Sequence, residues 1–289
     1  MKRLWANVKV AVKSFSQHKV PRLAAALAYY TLFSLAPLLV IILAVVGSVF
    51  GTEAARSRLV AQIQGVVGPD TAGLISDMIV QTQQTGSGLF ATIVGVATLL
   101  IGATGVFVQL QRALNEIWEV PQGPRRGIVR TILMRLEGLL MVLGIGLASI
   151  LAVALQAALG VIRSNFEDLL PGADWLWVVA NPLLGLVIFS LVFAALFKLV
   201  PDAEMTWREV LPGALFTAVL FVIGLLGLSL YLGAASVGSA YGAAGTLVVL
   251  VMFVYYSMQI MLFGAEFTRA DVQDRRRRRG HSERFVRKP

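Results

Sequence analysis

The sequence predicts an all-α fold, a polytopic membrane bundle of six transmembrane helices, on three observations. The first is composition: 57% of the 289 residues are apolar and only 14% are charged, against about 25% charged in soluble domains. The second is a set of six long apolar runs, at about 23–50, 89–111, 138–162, 175–197, 210–232 and 245–265. Each reaches the roughly 20 residues needed to cross a hydrocarbon layer about 30 Å thick. Backbone groups facing lipid must be satisfied within the segment, so such runs are helices. Their unbroken Leu, Val, Ile and Ala content also excludes an outer-membrane barrel, whose strands alternate.

The third observation is where the charges fall. All but three of the 25 Lys and Arg residues (Arg56, Arg58 and Arg163) lie at the N-terminus, in 112–135, in 198–208 or after 268. Those are alternate gaps between the runs. The positive-inside bias therefore predicts a bacterial cytoplasmic (inner) membrane protein with both termini in the cytoplasm. The basic excess then faces anionic lipid headgroups, and the outer loops are mildly acidic. With no cysteine, disulfides, thiolate metal sites and thiol catalysis are excluded.

The elements follow in chain order. Residues 2–18 read as an interfacial helix: Leu4, Trp5, Val8, Ala11, Val12 and Phe15 share one face, and Lys2, Lys9 and Lys13 the other. The first run is longer than a signal-peptide core and reads as an uncleaved anchor. It carries Tyr29-Tyr30-Thr31, a kink expected at Pro37, and Gly47 and Gly51 at a spacing that permits close helix packing. Residues 52–88 predict two amphipathic outer helices broken at Gly68-Pro69-Asp70. Trp118 is expected at the membrane interface, and Pro121-Gln122-Gly123-Pro124 must leave the helix.

In the second half, Asp174-Trp175-Leu176-Trp177 marks the outer entrance of span four, and Pro182 invites a kink there. Lys198 can snorkel at the inner end. Pro212 falls near the start of span five, where its missing donor costs little. The uncharged stretch 233–245 reads as a short flexible hairpin. The expected organisation is a membrane domain over 1–270 and a basic, disordered cytoplasmic tail over 271–289.

Chemistry is sparse. The only histidines, His18 and His281, flank the spans, so neither a metal centre nor a Ser-His pair can be assembled at membrane depth. No phosphate-binding glycine loop precedes Lys-Ser or Lys-Thr. The arginine runs lack the aromatic interleaving of a nucleic-acid surface. The sequence thus predicts a non-enzyme with no cofactor, no metal and no nucleic-acid partner. What remains is a set of polar residues near the inner half of the spans. Arg112, Asn115, Gln259, Glu266 and Tyr30 are the candidate substrate-binding residues.

Several stretches resemble the YihY/BrkB family of bacterial inner-membrane proteins: AALAYYTLFSLAPLL at 25–39, LNEIWEVP at 114–121, LYL with YGAAG across 230–245, and VYYSMQIMLFGAEFTRA at 254–270. The resemblance implies six spans and a role in the cell envelope. It also carries an old ribonuclease BN label regarded as misassigned, in keeping with the missing nuclease ligands. The function expected is a transporter or flippase of lipid or amphipathic envelope precursors. The alternative is a non-transporting scaffold with an envelope-assembly protein partner, and a membrane-associated ribonuclease ranks last.

Overall fold

The computed structural model describes residues 2–34, 105–120, 174–235, 237–278 and 280, with scattered positions between 51 and 80. Among these residues every regular element is helical. Helix α1 is Lys2–Gln17, α2 covers 20–34 and α3 covers 105–117. Helices α4 (Asp174–Leu199), α5 (Trp207–Ala235) and α6 (Val237–Arg278) follow. Among the described residues three segments are long and apolar enough to cross a membrane: Pro182–Leu199, Trp207–Leu228 and Val248–Arg278. They coincide with the fourth, fifth and sixth apolar runs. The third run, most of the second, and Pro37 and Gly47 lie outside the described residues.

Helices α5 and α6 are antiparallel and meet through a reciprocal pair of small residues. A Cβ at Gly213 would overlap the Thr268 side chain, and a Cβ at Gly264 would overlap Thr217. Each threonine returns its hydroxyl to its own helix: Thr217 Oγ1 donates to Gly213 O at 2.7 Å and Thr268 Oγ1 to Gly264 O at 2.6 Å. Two Gly-x-x-x-Thr segments are thus turned face to face. Small residues matter here because lipid supplies no hydrophobic drive between helices, leaving close backbone approach and dispersion to hold them. Helix α4 joins α5 through a run of rings, Phe193 over Phe221 and Phe189 over Phe221, with centroids 5.4 Å apart in both pairs.

The main core lies at the basic end of the bundle. Val20, Ala24 and Leu27 of α2, Leu114 and Ile117 of α3, Trp118 just after it, Phe197 of α4, Val210 of α5 and Leu262 of α6 are all fully buried there. A smaller cluster further along joins Ala28, Ile75, Leu250 and Val254, so the 52–88 segment reaches the bundle through Ile75.

Four expectations are corrected. Trp118 is fully buried in the core, so its ring faces protein and not the lipid headgroups. Gly51 is exposed in the left-handed region at φ +84°, with nothing within 4 Å of a Cβ built on it; it makes no close approach of the packing kind among the described residues. Every described residue of the stretch 233–245 is helical; Ser236 lies outside them. Pairing of backbone groups within a helix is what a lipid-facing segment requires. Finally, α6 runs on to Arg278, eight residues into the stretch expected as a disordered tail. Asp271–Arg275 and Asp274–Arg278 bridge successive turns at 2.7 and 3.0 Å. The terminal arginines also complement the helix dipole. Gly280, at φ +68°, sits just past the helix end, its N–H bonding Arg277 O at 3.2 Å.

Candidate functional site

Two helix ends build the central feature. Helix α1 stops where Lys19 adopts φ 49°, and Arg22 N then bonds Lys19 O at 2.8 Å to start α2. Helix α3 stops where Glu119 adopts φ 50°. Val120 N reaches back to Asn115 O at 2.9 Å and Glu119 N to Glu116 O at 3.1 Å. That pair of bonds is a Schellman cap, whose left-handed residue is usually glycine. A glutamate in that backbone region costs about 1 kcal/mol. Its carboxylate gives the reason for the choice.

The two turns deliver His18 and Glu119 to α6. His18 Nδ1 lies 2.6 Å from Glu266 Oε1, and its Nε2 lies 3.6 Å from Glu119 Oε1. Arg269, one turn on from Glu266, pairs with Glu119 and stands 4.0 Å from Glu266 Oε2. The Glu266 side chain is fully buried, while Glu119 is 61% exposed. A buried carboxylate persists only when paired and hydrogen-bonded. Glu266 is therefore the hub, and Glu119 is an outer contact worth little by itself. The cluster fastens the α1–α2 turn, the end of α3 and α6 at one point.

Three further ties surround it. Asn7 Nδ2 donates to Asp271 Oδ1 at 3.0 Å, docking α1 along α6. Asn115 and Asp202 exchange two bonds: Asn115 Nδ2 to Asp202 Oδ2 at 3.0 Å, and Asp202 N to Asn115 Oδ1 at 2.8 Å. At the start of α5, Thr206 and Glu209 form a capping box, with Thr206 N donating to Glu209 Oε2 at 2.8 Å. Arg276 then grips Glu209 at 2.7 and 3.1 Å. Lys198 Nζ donates to Met205 O at 2.5 Å and lies over the Trp207 ring, so it closes the α4–α5 link.

Beside this interlocked end is an open groove. It has a volume of about 580 Å³ and runs between α1, α5 and α6, with Val12, Phe15, Ile223, Gly227, Tyr256 and Gln259 among its lining residues. Its lining is otherwise apolar; only Tyr256 and Gln259 bring polar side chains to it. Phe15 and Phe263 meet edge to face at 5.9 Å and separate it from the His18–Glu266 pair one turn away. The groove opens sideways. Val12, Ile223 and Tyr256 are about half exposed, and Ile223 belongs to an outward stripe of Leu215, Val219, Ile223, Leu226 and Leu230 on α5. Recurrence at three and four residues marks that stripe as one helix face.

A family model described as "Virulence factor BrkB" matches residues 11–288. The chain belongs to the BrkB family. Its relatives include UPF0761 membrane proteins of three bacteria. The one from Pseudomonas aeruginosa is 31% identical over 259 residues, covering 87% of this chain and 59% of the relative. That of Nitrosospira multiformis is 28% identical over 253 residues, 87% and 57% respectively. That of Alcanivorax borkumensis is 27% identical over 264 residues, 90% and 58%. The chain thus spans less than two thirds of the length of these curated relatives. No solved structure matches.

In this BrkB-family chain the five sequence-predicted residues do not converge on one pocket. Gln259 lines the groove. Glu266 is consumed by His18 and Arg269, and Asn115 by Asp202. Arg112 is exposed on α3. Tyr30 is 41% exposed, and its ring faces Gly105, where an added Cβ would come within 3.2 Å. Residues outside those five include His18 and Glu119, brought in by the two left-handed turns, together with Tyr256, one of the polar residues of the spans, and Gly227 in the groove. A faint signal existed for the first pair: each sits where a helical pattern ends without a glycine.

Proposed function

We propose that this protein moves lipid or amphipathic envelope precursors across the bacterial cytoplasmic membrane as a non-enzymatic carrier, with both termini in the cytoplasm. The observation that supports the reading is the lateral groove between α1, α5 and α6. An apolar channel open on a lipid-facing stripe accepts a hydrocarbon chain directly from the bilayer. Gln259 and Tyr256 offer that chain's polar end a hydrogen-bond partner that carries no charge and so costs less to keep in an apolar setting. The interlocked basic end provides a fixed support against which the groove walls can move.

The test is reconstitution of the full chain in vesicles carrying a fluorescent lipid, with a membrane-impermeant quencher outside. Transport predicts loss of inner-leaflet fluorescence beyond protein-free vesicles. No excess loss with phospholipids, and none with isolated envelope lipid precursors, would overturn the reading. A scaffold for envelope assembly draws support from the filled, ion-paired end instead, and predicts a stably co-purifying protein with no lipid movement.

A further inference from the structure

The arginines of α6 and the lysines of α1 are treated differently by the fold. Arg269, Arg275, Arg276 and Arg278 each pair with a carboxylate of the chain itself. Lys9 and Lys13, one turn apart on α1, are exposed and form no ion pair among the described residues. Lys9 instead lies over the exposed Trp5 ring at 5.5 Å. The helical wheel of α1 then sets the order around its surface. Phe15 and Val12 form the groove wall, Trp5 and Lys9 lie next around the helix, and Lys13 follows. A basic, aromatic rim therefore borders an apolar groove along one edge.

We infer that groove and rim together form a binding site for one anionic glycerophospholipid of the surrounding leaflet, with an acyl chain along α5 and α6 and the phosphate on Lys9 and Lys13. Three observations select this occupant. The groove opens on the exposed apolar stripe of α5, where acyl chains are the neighbours. From Phe263 to Tyr256 it follows two turns of α6, about 10 Å of chain. Its rim supplies cations without partners, beside a tryptophan suited to the headgroup boundary. Gly227 supplies the depth: a Cβ built there meets nothing within 4 Å, so the backbone itself forms the groove wall. This inference deepens the proposed function by naming the lipid class that the groove admits.

Native mass spectrometry of the purified full chain, titrated with phosphatidylglycerol or phosphatidylcholine, tests it. One phosphatidylglycerol is expected to stay bound, with phosphatidylcholine roughly tenfold weaker. The double substitution Lys9→Gln, Lys13→Gln should abolish that preference and leave the remaining binding at the phosphatidylcholine level. Gly227→Leu should remove both lipids, because its side chain enters open space in the groove; an unchanged melting temperature confirms the fold. Preference retained without the two lysines, or lipid retained in Gly227→Leu, would overturn the site. So would a Gly227→Leu protein whose only change is a lost dimer, since a second copy would then be the occupant. Lipid bound as expected while reconstituted vesicles move none would overturn the transport reading and leave this site standing.

Discussion

The basic end and the middle of α6 solve opposite problems. At its basic end, from Glu266 to Arg278, charged side chains are drawn into pairs: Glu266 with His18 and Arg269, Asp271 with Asn7 and Arg275, and Arg276 with Glu209. Glu266 Oε2 and Arg269 Nε are nevertheless buried without a hydrogen bond among the described residues. Around Tyr256 and Gln259, about two to three turns away, the helix instead faces an apolar groove with few polar groups. The basic end is closed by pairing, while the middle faces a groove that Gly227 of α5 leaves open. On the proposed reading, charge without a partner, rather than charge alone, marks the working surface. The candidates read from polarity alone therefore divided, Glu266 and Asn115 going to structure and Gln259 to the groove.

The largest effect that would sharpen this contrast comes from the hub. Replacing Glu266 with Ala removes the buried partner of His18 and Arg269 and leaves them only the exposed Glu119 carboxylate. Removing one partner from such a pair costs about 3 kcal/mol or more. Thermal unfolding in detergent should show a large loss of stability, and α1 should become accessible to protease. If Glu266→Ala melts like the parent, the basic end is not the fixed support argued for it.

Next comes the α5–α6 contact. Gly264→Ala places a Cβ into Thr217, and overpacking of this kind costs about 1–3 kcal/mol. Adding Thr217→Ala should recover most of that loss, because it removes the obstructing hydroxyl and methyl. A double-mutant cycle measures the coupling, and strictly additive losses would mean that the helices do not meet there. Asn115→Ala should cost about 1–2 kcal/mol by removing the two bonds it exchanges with Asp202. It should leave phosphatidylglycerol binding unchanged, which separates a clamp from a lipid contact.

The apolar runs made the last three helices legible, since hydropathy over 20 residues is a local property. The Gly213-x-x-x-Thr217 and Gly264-x-x-x-Thr268 spacings were also on the page, but small-residue spacing is common and gives no partner. Asp271–Arg275 and Asp274–Arg278 likewise announced that α6 continues past residue 270. The His18–Glu266 pair was not legible, because its members are 248 residues apart and no periodicity links them. Only the packing of α1 against α6 brings them together. The groove was illegible for a related reason: it is an absence of side chain at Gly227, and a glycine in an apolar run reads as a packing point.

The smallest predicted effect is also the most discriminating. Lys19 and Glu119 share nearly the same left-handed backbone, φ 49° and 50°, and both stand where glycine is ordinarily favoured. Lys19 is exposed and forms no ion pair among the described residues, whereas Glu119 contacts Arg269 and His18. Lys19→Gly should therefore stabilise by a few tenths to about 1 kcal/mol, the strain relieved less the added freedom of the unfolded chain. Glu119→Gly gains the same backbone term but loses two contacts, each weakened by solvent at a side chain 61% exposed. Its net change should lie near zero, and the gap between the two substitutions reports what the carboxylate contributes. Equal stabilisation by both would show that Glu119 contributes nothing to the cluster and that His18, Glu266 and Arg269 close it unaided.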